Sequence, residues 1–288
     1  MQDAVQPAAG NGLLDRRALF RAGAAAAATA GFAGSAHATG PLQVEPWMRE
    51  VGAPFTAYGQ PSHFENKVVR TYASLPGTTG TGSARTPLQA LDGMITPNGL
   101  HFERSHDGVP DIDPDAHQLL IHGLVRRPLS FSLEALSRYP MVSRIAFLEC
   151  GGNGGALYQK APVQLGVQGL QGLLSCAEWT GVPLSHVLNR AKVLPGARYV
   201  VFFPFDESWD SLDMPDAWHP QTLLAYAMNG EELPTPHGAP VRLRVARQLG
   251  YKSIKYLSRI TVTDTLKDIG AGLGSVSPEL GYSWYAGI

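Results

Sequence analysis

Cysteine, lysine and charge of any sign are scarce in this 288-residue sequence, and each shortage closes a class of answers. Two cysteines cannot build a disulfide scaffold, a four-cysteine zinc site or a four-cysteine iron–sulfur site. No Cys-x-x-Cys-His pattern offers covalent attachment of c-type haem. Charged residues make up 16%, below the roughly 25% usual for soluble domains. Lys+Arg 23 against Asp+Glu 24 leaves a net charge of −1, so bulk electrostatics excludes a general nucleic-acid binder. Gly-x-Ser-x-Gly, the phosphate-binding Gly-x-x-x-x-Gly-Lys-Ser/Thr loop and the dinucleotide fingerprint are all missing, which weakens hydrolase and nucleotide readings. His-Glu-x-x-His is missing too, leaving only a weak zinc signal around His101 and His106.

The N-terminus carries Arg16-Arg17 followed by Leu19 and Phe20, then an Ala-rich run to Ala36-His37-Ala38. A basic start, a mildly apolar stretch and a small-residue triplet read as a secretory signal over 1–38, and the arginine pair as twin-arginine export. Gly, Ser and Thr interrupt the run, which leaves it too weak for a comfortable span of about 20 residues. No later segment is a spanning candidate, so a soluble periplasmic protein without stable membrane insertion is expected. The twin-arginine route carries proteins folded before export, commonly around a cofactor.

Residues 39–95 are rich in Pro, Gly, Ser and Thr and read as an extended, wrapping segment. Strands are expected over 118–125, 142–150, 198–203 and 258–263. Along 142–150, Ile145 and Phe147 fall on one face and Ala146, Leu148 and Cys150 on the other. Ser132 is placed to cap a short helix. Leu184, Val187, Leu188 and Ala191 share one face of a helix over 183–192, with Pro183 in the permissive first turn. Residues 223–228 followed by Asn229-Gly230 read as a hairpin with a type I′ turn. Strands outnumber helices, which gives an α+β fold of mixed β-sheets with short helices.

Two stretches carry chemistry. Cys150 ends a strand and enters Gly151-Gly152-Asn153-Gly154-Gly155, where a bulky ligand can approach the backbone and a thiolate can bind a transition metal. A disulfide to Cys176 stands beside that reading, evenly weighted. In the last third, His237, Arg242, Lys252, Ser253 and Lys255 lie in two Gly-punctuated segments able to bind an anionic phosphate. A solvated strand face carrying Arg242 and Arg244 is the alternative.

In order along the chain, Phe102-Glu103-Arg104-Ser105-His106, Cys150-Gly151-Gly152-Asn153, 176–184, Asn229-Gly230, 237–242 and Lys255 resemble the molybdopterin-binding domain of the sulfite oxidase family. The likeness covers about 41–264, and the first half is most like the periplasmic sulfane/sulfite dehydrogenase branch. It implies a molybdopterin-binding oxidoreductase domain over 96–264, a tail over 265–288, and molybdenum with molybdopterin as cofactor. By the same resemblance Cys150 is the protein thiolate on the metal. Phe102, Arg104, His106, Asp206, His237, Arg242, Lys252, Ser253 and Lys255 bind the cofactor, and Arg104 also faces substrate. The family's active-site tyrosine is replaced by Trp209. The arginine that follows Cys-x-Gly-Asn in sulfite oxidases is replaced by Gly154 and Gly155, and their immunoglobulin-like dimerisation domain is not expected after Asp264. The implied reaction is oxygen-atom transfer on sulfite or a related inorganic sulfur compound, with electrons leaving to a c-type cytochrome on a separate chain. Sulfoxide reduction, including methionine sulfoxide, is the alternative on the same cofactor, and a cofactor-free binding protein is a distant third.

Overall fold

Short alternating runs broken by Pro and Gly favour pleated surfaces over long helices, and the chain folds accordingly. The computed structural model describes residues 67–77, 79–161, 163–205, 209–269 and 272–285. The signal expected over 1–38, the first part of the wrapping segment and Asp206 lie outside the described residues.

The first sheet has the order β1 (Thr71–Ser74), β2 (Gly82–Arg85), β3 (Glu103–Ser105), all antiparallel. The second runs β5 (Leu129–Phe131), β4 (Leu119–Gly123), β13 (Leu257–Thr263), β8 (Tyr199–Pro204), β9 (Asp210–Asp213). Its β13–β4 pair is parallel and the others are antiparallel, so the sheet is mixed as expected. The third runs β11 (Glu231–Glu232), β10 (Leu223–Met228), β7 (Leu174–Pro183), β6 (Val142–Glu149), with β12 (Arg242–Arg244) also paired to β10.

Among the described residues four short α-helices punctuate the sheets. Ser132 Oγ accepts the Ala135 amide to start α1 (Leu133–Ser137), and the Asp213 carboxylate accepts the Asp216 amide to start α4 (Met214–Ala217). Both are side-chain caps on otherwise orphaned N–H groups. Helix α2 (Val167–Gln171) follows the glycine-rich loop. In α3 (Leu184–Ala191) the four apolar residues named above are completely buried. They join Leu119, Ile121, Phe202 and Ile260 in the main core. A smaller cluster of Phe102, Leu148, Leu173, Ala177, Trp179 and Met228 lies against β6 and β7. That cluster is the floor of the site.

Asn229 and Gly230 both have positive φ, 53° and 79°, as a type I′ turn requires. The Asn229 side chain does more: its oxygen accepts the Glu178 amide at 2.8 Å, and its nitrogen donates to Thr96 O at 2.9 Å. It thereby fixes the segment that leads into Phe102.

Candidate active site

The β6–β7 ladder decides what Cys150 can reach. Leu148 pairs with Ser175 and Phe147 with Cys176. Alternation therefore puts Cys150 on the face of Leu148, Ser175, Ala177 and Trp179, and Cys176 on the opposite face with Phe147. Both cysteines are free. The disulfide alternative fails because the two side chains leave opposite sides of one sheet.

Behind Cys150 the loop is tied down. The Cys150 amide donates to Leu173 O at 3.0 Å, and the Asn153 amide to Cys150 O at 2.9 Å. The Asn153 side chain donates to Glu149 and Gln171 while accepting the Leu173 amide. At Gly151 a Cβ would stand 2.9 Å from the Tyr251 ring and 3.0 Å from the Tyr282 ring. Glycine is what allows two tyrosines to close over this loop. Burial pushes the Cys150 thiol up, opposed by the Gly152 amide, Arg104 and Arg85. Such a group prefers to lose its proton to a metal rather than to water.

Deeper in, the same face carries a basic seat. Arg242 and Arg244 are 3% and 1% exposed, and both guanidinium groups lie over the Trp179 indole, at 5.0 and 5.7 Å. Arg242 donates to His237 O and Ser253 O, each at 2.7 Å. Arg244 donates to Val245 O and Phe147 O, and more weakly to Ser253 Oγ. His237 donates from Nε2 to Asn98 O at 3.1 Å, and its ring stands 4.9 Å from that of His101. Gly238, at φ 109°, has no room for a Cβ between Lys255 and Arg242; only glycine lets these cations converge.

Among the described residues neither Arg242 nor Arg244 forms an ion pair with a carboxylate. Arg244 Nε and His101 Nε2 are buried with no hydrogen-bond partner. Burial draws Arg242 down to about 10 and Arg244 to about 9, the latter helped by its neighbour Arg242. Burial also takes His237 to about 4 and holds His101 well below its ordinary value, so both rings are neutral at pH 7. Two enclosed guanidinium charges without a counter-ion are costly. The arrangement is completed by a compact anion of high charge, and a pterin phosphate fits that requirement.

The sequence-predicted residues separate as follows. Phe102, Cys150, His237, Arg242 and Ser253 meet on the small cluster or its basic seat. Lys255 lies at the seat's edge, donating to Pro236 O at 3.1 Å. Arg104 on β3 bears on Cys150, and His106 is exposed just beyond it. Lys252 is engaged elsewhere: its ammonium is buried against Asp210 Oδ1 at 2.6 Å and Ser211 O at 2.9 Å. Trp209 stacks on Phe203, 6.1 Å between centroids. Beside the Cys150 loop itself stand the phenols of Tyr251 and Tyr282.

Arg244 and His101 were missed as seat residues, and the solvated face expected for Arg242 and Arg244 is wrong. The signal was available: Arg242 and Arg244 are two apart on a strand, hence on one face. Their burial depends on Trp179 on β7, 63 positions before Arg242 in the chain.

Residues 106–268 match the model of the oxidoreductase molybdopterin binding domain. Mitochondrial sulfite oxidase of Rattus norvegicus is 34% identical over 192 residues, 62% of this chain and 35% of that protein. A nitrate reductase [NADPH] of Neurospora crassa is 36% identical over 207 residues, 62% of this chain and 21% of that protein. This chain therefore spans about a third or less of those relatives. The crystal structure of the sulfane dehydrogenase SoxCD from Paracoccus pantotrophus is similar with a TM-score of 0.72 and 34% identity, covering 80% of this chain and 61% of that one. A shared fold, a matching family model and a seat suited to an anionic pterin converge: the chain belongs to the oxidoreductase molybdopterin-binding domain family, with molybdenum and molybdopterin as its cofactor.

Proposed function

We propose that this protein is a periplasmic oxidoreductase that oxidises sulfite or a related inorganic sulfur compound and passes the electrons to a c-type cytochrome on a separate chain. The observation that carries the reading is the free Cys150 thiol on the sheet face of Trp179, the face that the buried Arg242 and Arg244 guanidinium groups cover. The bound cofactor supplies the two-electron redox change and the oxygen-atom transfer. The chain's own residues do the rest. Arg242, Arg244, Ser253, His237 and Lys255 would hold the pterin and its phosphate, and Cys150 would supply the metal's protein thiolate. Arg104 would attract and orient an anionic substrate at that position. The net change is balanced as sulfite plus water to sulfate, two protons and two electrons, so two one-electron acceptors are consumed per turnover.

The names of the sulfite oxidase and the sulfane dehydrogenase support a sulfur substrate, and the twin-arginine pattern around Arg16-Arg17 supports export after folding. No helix among the described residues is long and apolar enough to cross a membrane. The test is made on molybdenum-loaded protein. Sulfite-dependent reduction of cytochrome c is the expected activity. Oxidation of a reduced viologen dye by a sulfoxide or by nitrate, without sulfite turnover, would reassign the enzyme as a reductase.

A further inference from the structure

The tail leaves its sheet after β13 and, among the described residues, forms no strand, so no ladder ties it to the body. Its two ends are held very differently. At the near end Ser275 and Ser277, both buried, donate to Asp210 Oδ2 at 2.6 and 3.2 Å, and Ser211 Oγ donates to Gly274 O. Asp210 also accepts from the buried Lys252 ammonium, which anchors this end in the body. At the far end Ser283 and Tyr285 are exposed. Between them a 3-10 turn over Ser277–Leu280 ends at Gly281, at φ 85° and with open space around it. The chain bends back there and lays Tyr282 on the Cys150 loop.

Side-chain contacts keep the far end down. The Tyr282 ring packs on Tyr251 at 5.3 Å between centroids, and a Cβ built on Gly151 would stand 3.0 Å from it. A Cβ built on Gly152 would lie 3.5 Å from the Tyr282 hydroxyl oxygen and 4.0 Å from Cys150 Sγ, so the phenol lies over the approach to the thiol. The Tyr251 hydroxyl donates to Ser283 O at 2.6 Å. Trp284 donates to Ser211 Oγ at 2.9 Å, meets the Tyr199 ring edge-on at 6.1 Å and lies 4.6 Å from Lys252 Nζ. A partly exposed segment held in this way opens locally at far lower cost than the whole fold. Arg242 is fastened by the His237 and Ser253 carbonyls instead, so opening leaves the basic seat intact.

We propose that residues 274–284 are a strap that closes over the Cys150 loop, controls access to the Cys150 thiol and slows escape of the bound cofactor. The Asp210–Lys252 pair is its fixed end, Gly281 its bend, Tyr282 its cover and the Trp284 indole its catch. Trp284 rests on β8, β9 and Lys252 rather than on the Cys150 loop. It therefore acts on the thiol by holding the strap down. The proposal is independent of which sulfur compound is oxidised.

The two cysteines make the test internal. Cofactor-free wild type, Tyr251→Phe, Tyr282→Ala and Trp284→Ala are treated with N-ethylmaleimide, and the rate at each cysteine is read by peptide mass spectrometry. Cys176, on the opposite face of the sheet, reports any general loosening. Tyr282→Ala and Trp284→Ala are expected to speed modification of Cys150 at least about tenfold with Cys176 unchanged. Tyr251→Phe, which loses one hydrogen bond, should speed it about three- to tenfold. From molybdenum-loaded Trp284→Ala, free pterin, followed by its fluorescence after dilution and filtration, should appear at least about three times faster than from wild type. Cys150 rates equal to wild type in both Trp284→Ala and Tyr251→Phe overturn the strap. Equal acceleration at Cys176 overturns it too, because the whole fold has then loosened. Faster modification of Cys150 with unchanged pterin release upholds the cover and overturns its part in retention.

Discussion

Lys252 Nζ lies 2.6 Å from Asp210 Oδ1 in a pair whose side chains are 1% and 2% exposed. Asp210 also accepts from Ser275, Ser277 and the Ser211 amide, so one carboxylate joins β9, the 250–252 turn and the tail. Removing it strands a buried ammonium. Asp210→Ala is expected to cost about 3–5 kcal/mol, read as a lower urea midpoint. The Trp284 emission should shift as the tail detaches. Ser275→Ala, which removes only one of the donors, should cost about 1 kcal/mol.

Arg244→Met should act in opposite directions on the two forms of the protein. Without cofactor, exchanging an enclosed uncompensated guanidinium for an apolar chain of similar length is expected to stabilise by about 1–4 kcal/mol. With cofactor the phosphate loses a partner, so pterin content after purification should drop. The double variant Arg242→Ala with Lys255→Ala should likewise lower occupancy. Full pterin content in both proteins would remove the seat as the cofactor anchor.

Acid should weaken the cofactor-free protein at this same seat. His237 is held neutral in the fold, at about 4 against an ordinary 6.5, so protons favour the unfolded chain. The stability it contributes is complete above pH 6.5 and is lost as pH falls towards 4, about 3 kcal/mol over that window. His101 is shifted the same way by burial, with His237 beside it. Urea midpoints from pH 4 to 7 should climb with pH, and His237→Gln should flatten the climb.

Cys150→Ser should abolish turnover while leaving the melting temperature within a few degrees and the pterin in place, because the seat is separate from the thiol. Turnover equal to wild type in that variant would remove Cys150 as the metal's thiolate. Cys176→Ala should change neither turnover nor metal content, since Cys176 sits on the far face of the sheet. Unfolding of Cys176→Ala would contradict that placement.

Much of this was legible from local pattern. Strand β6, helix α3 and the Asn229-Gly230 turn follow from alternation, 3.6-residue spacing and positive-φ residues, all of which act within a few positions. Strand β7 was not legible. Its inward face includes Ser175, a polar residue that breaks the apolar alternation. That hydroxyl is used internally: it lies 2.6 Å from Thr86 Oγ1 and accepts the Phe102 amide at 2.9 Å. In the site, Cys150, Arg104 and His237 came from motifs. Tyr282 comes to the Cys150 loop from 132 positions later in the chain, through tertiary packing that no local pattern reports.

The basic seat has a kinetic corollary. Main-chain carbonyls of His237, Ser253, Val245 and Phe147 already hold both guanidinium forks in place. The forks are thus oriented by the fold itself, which predicts loading by docking rather than by folding. Uptake should then be second order in protein and cofactor and steered by charge. The free protein should neither need to melt in order to load nor wait for its metal in order to stand.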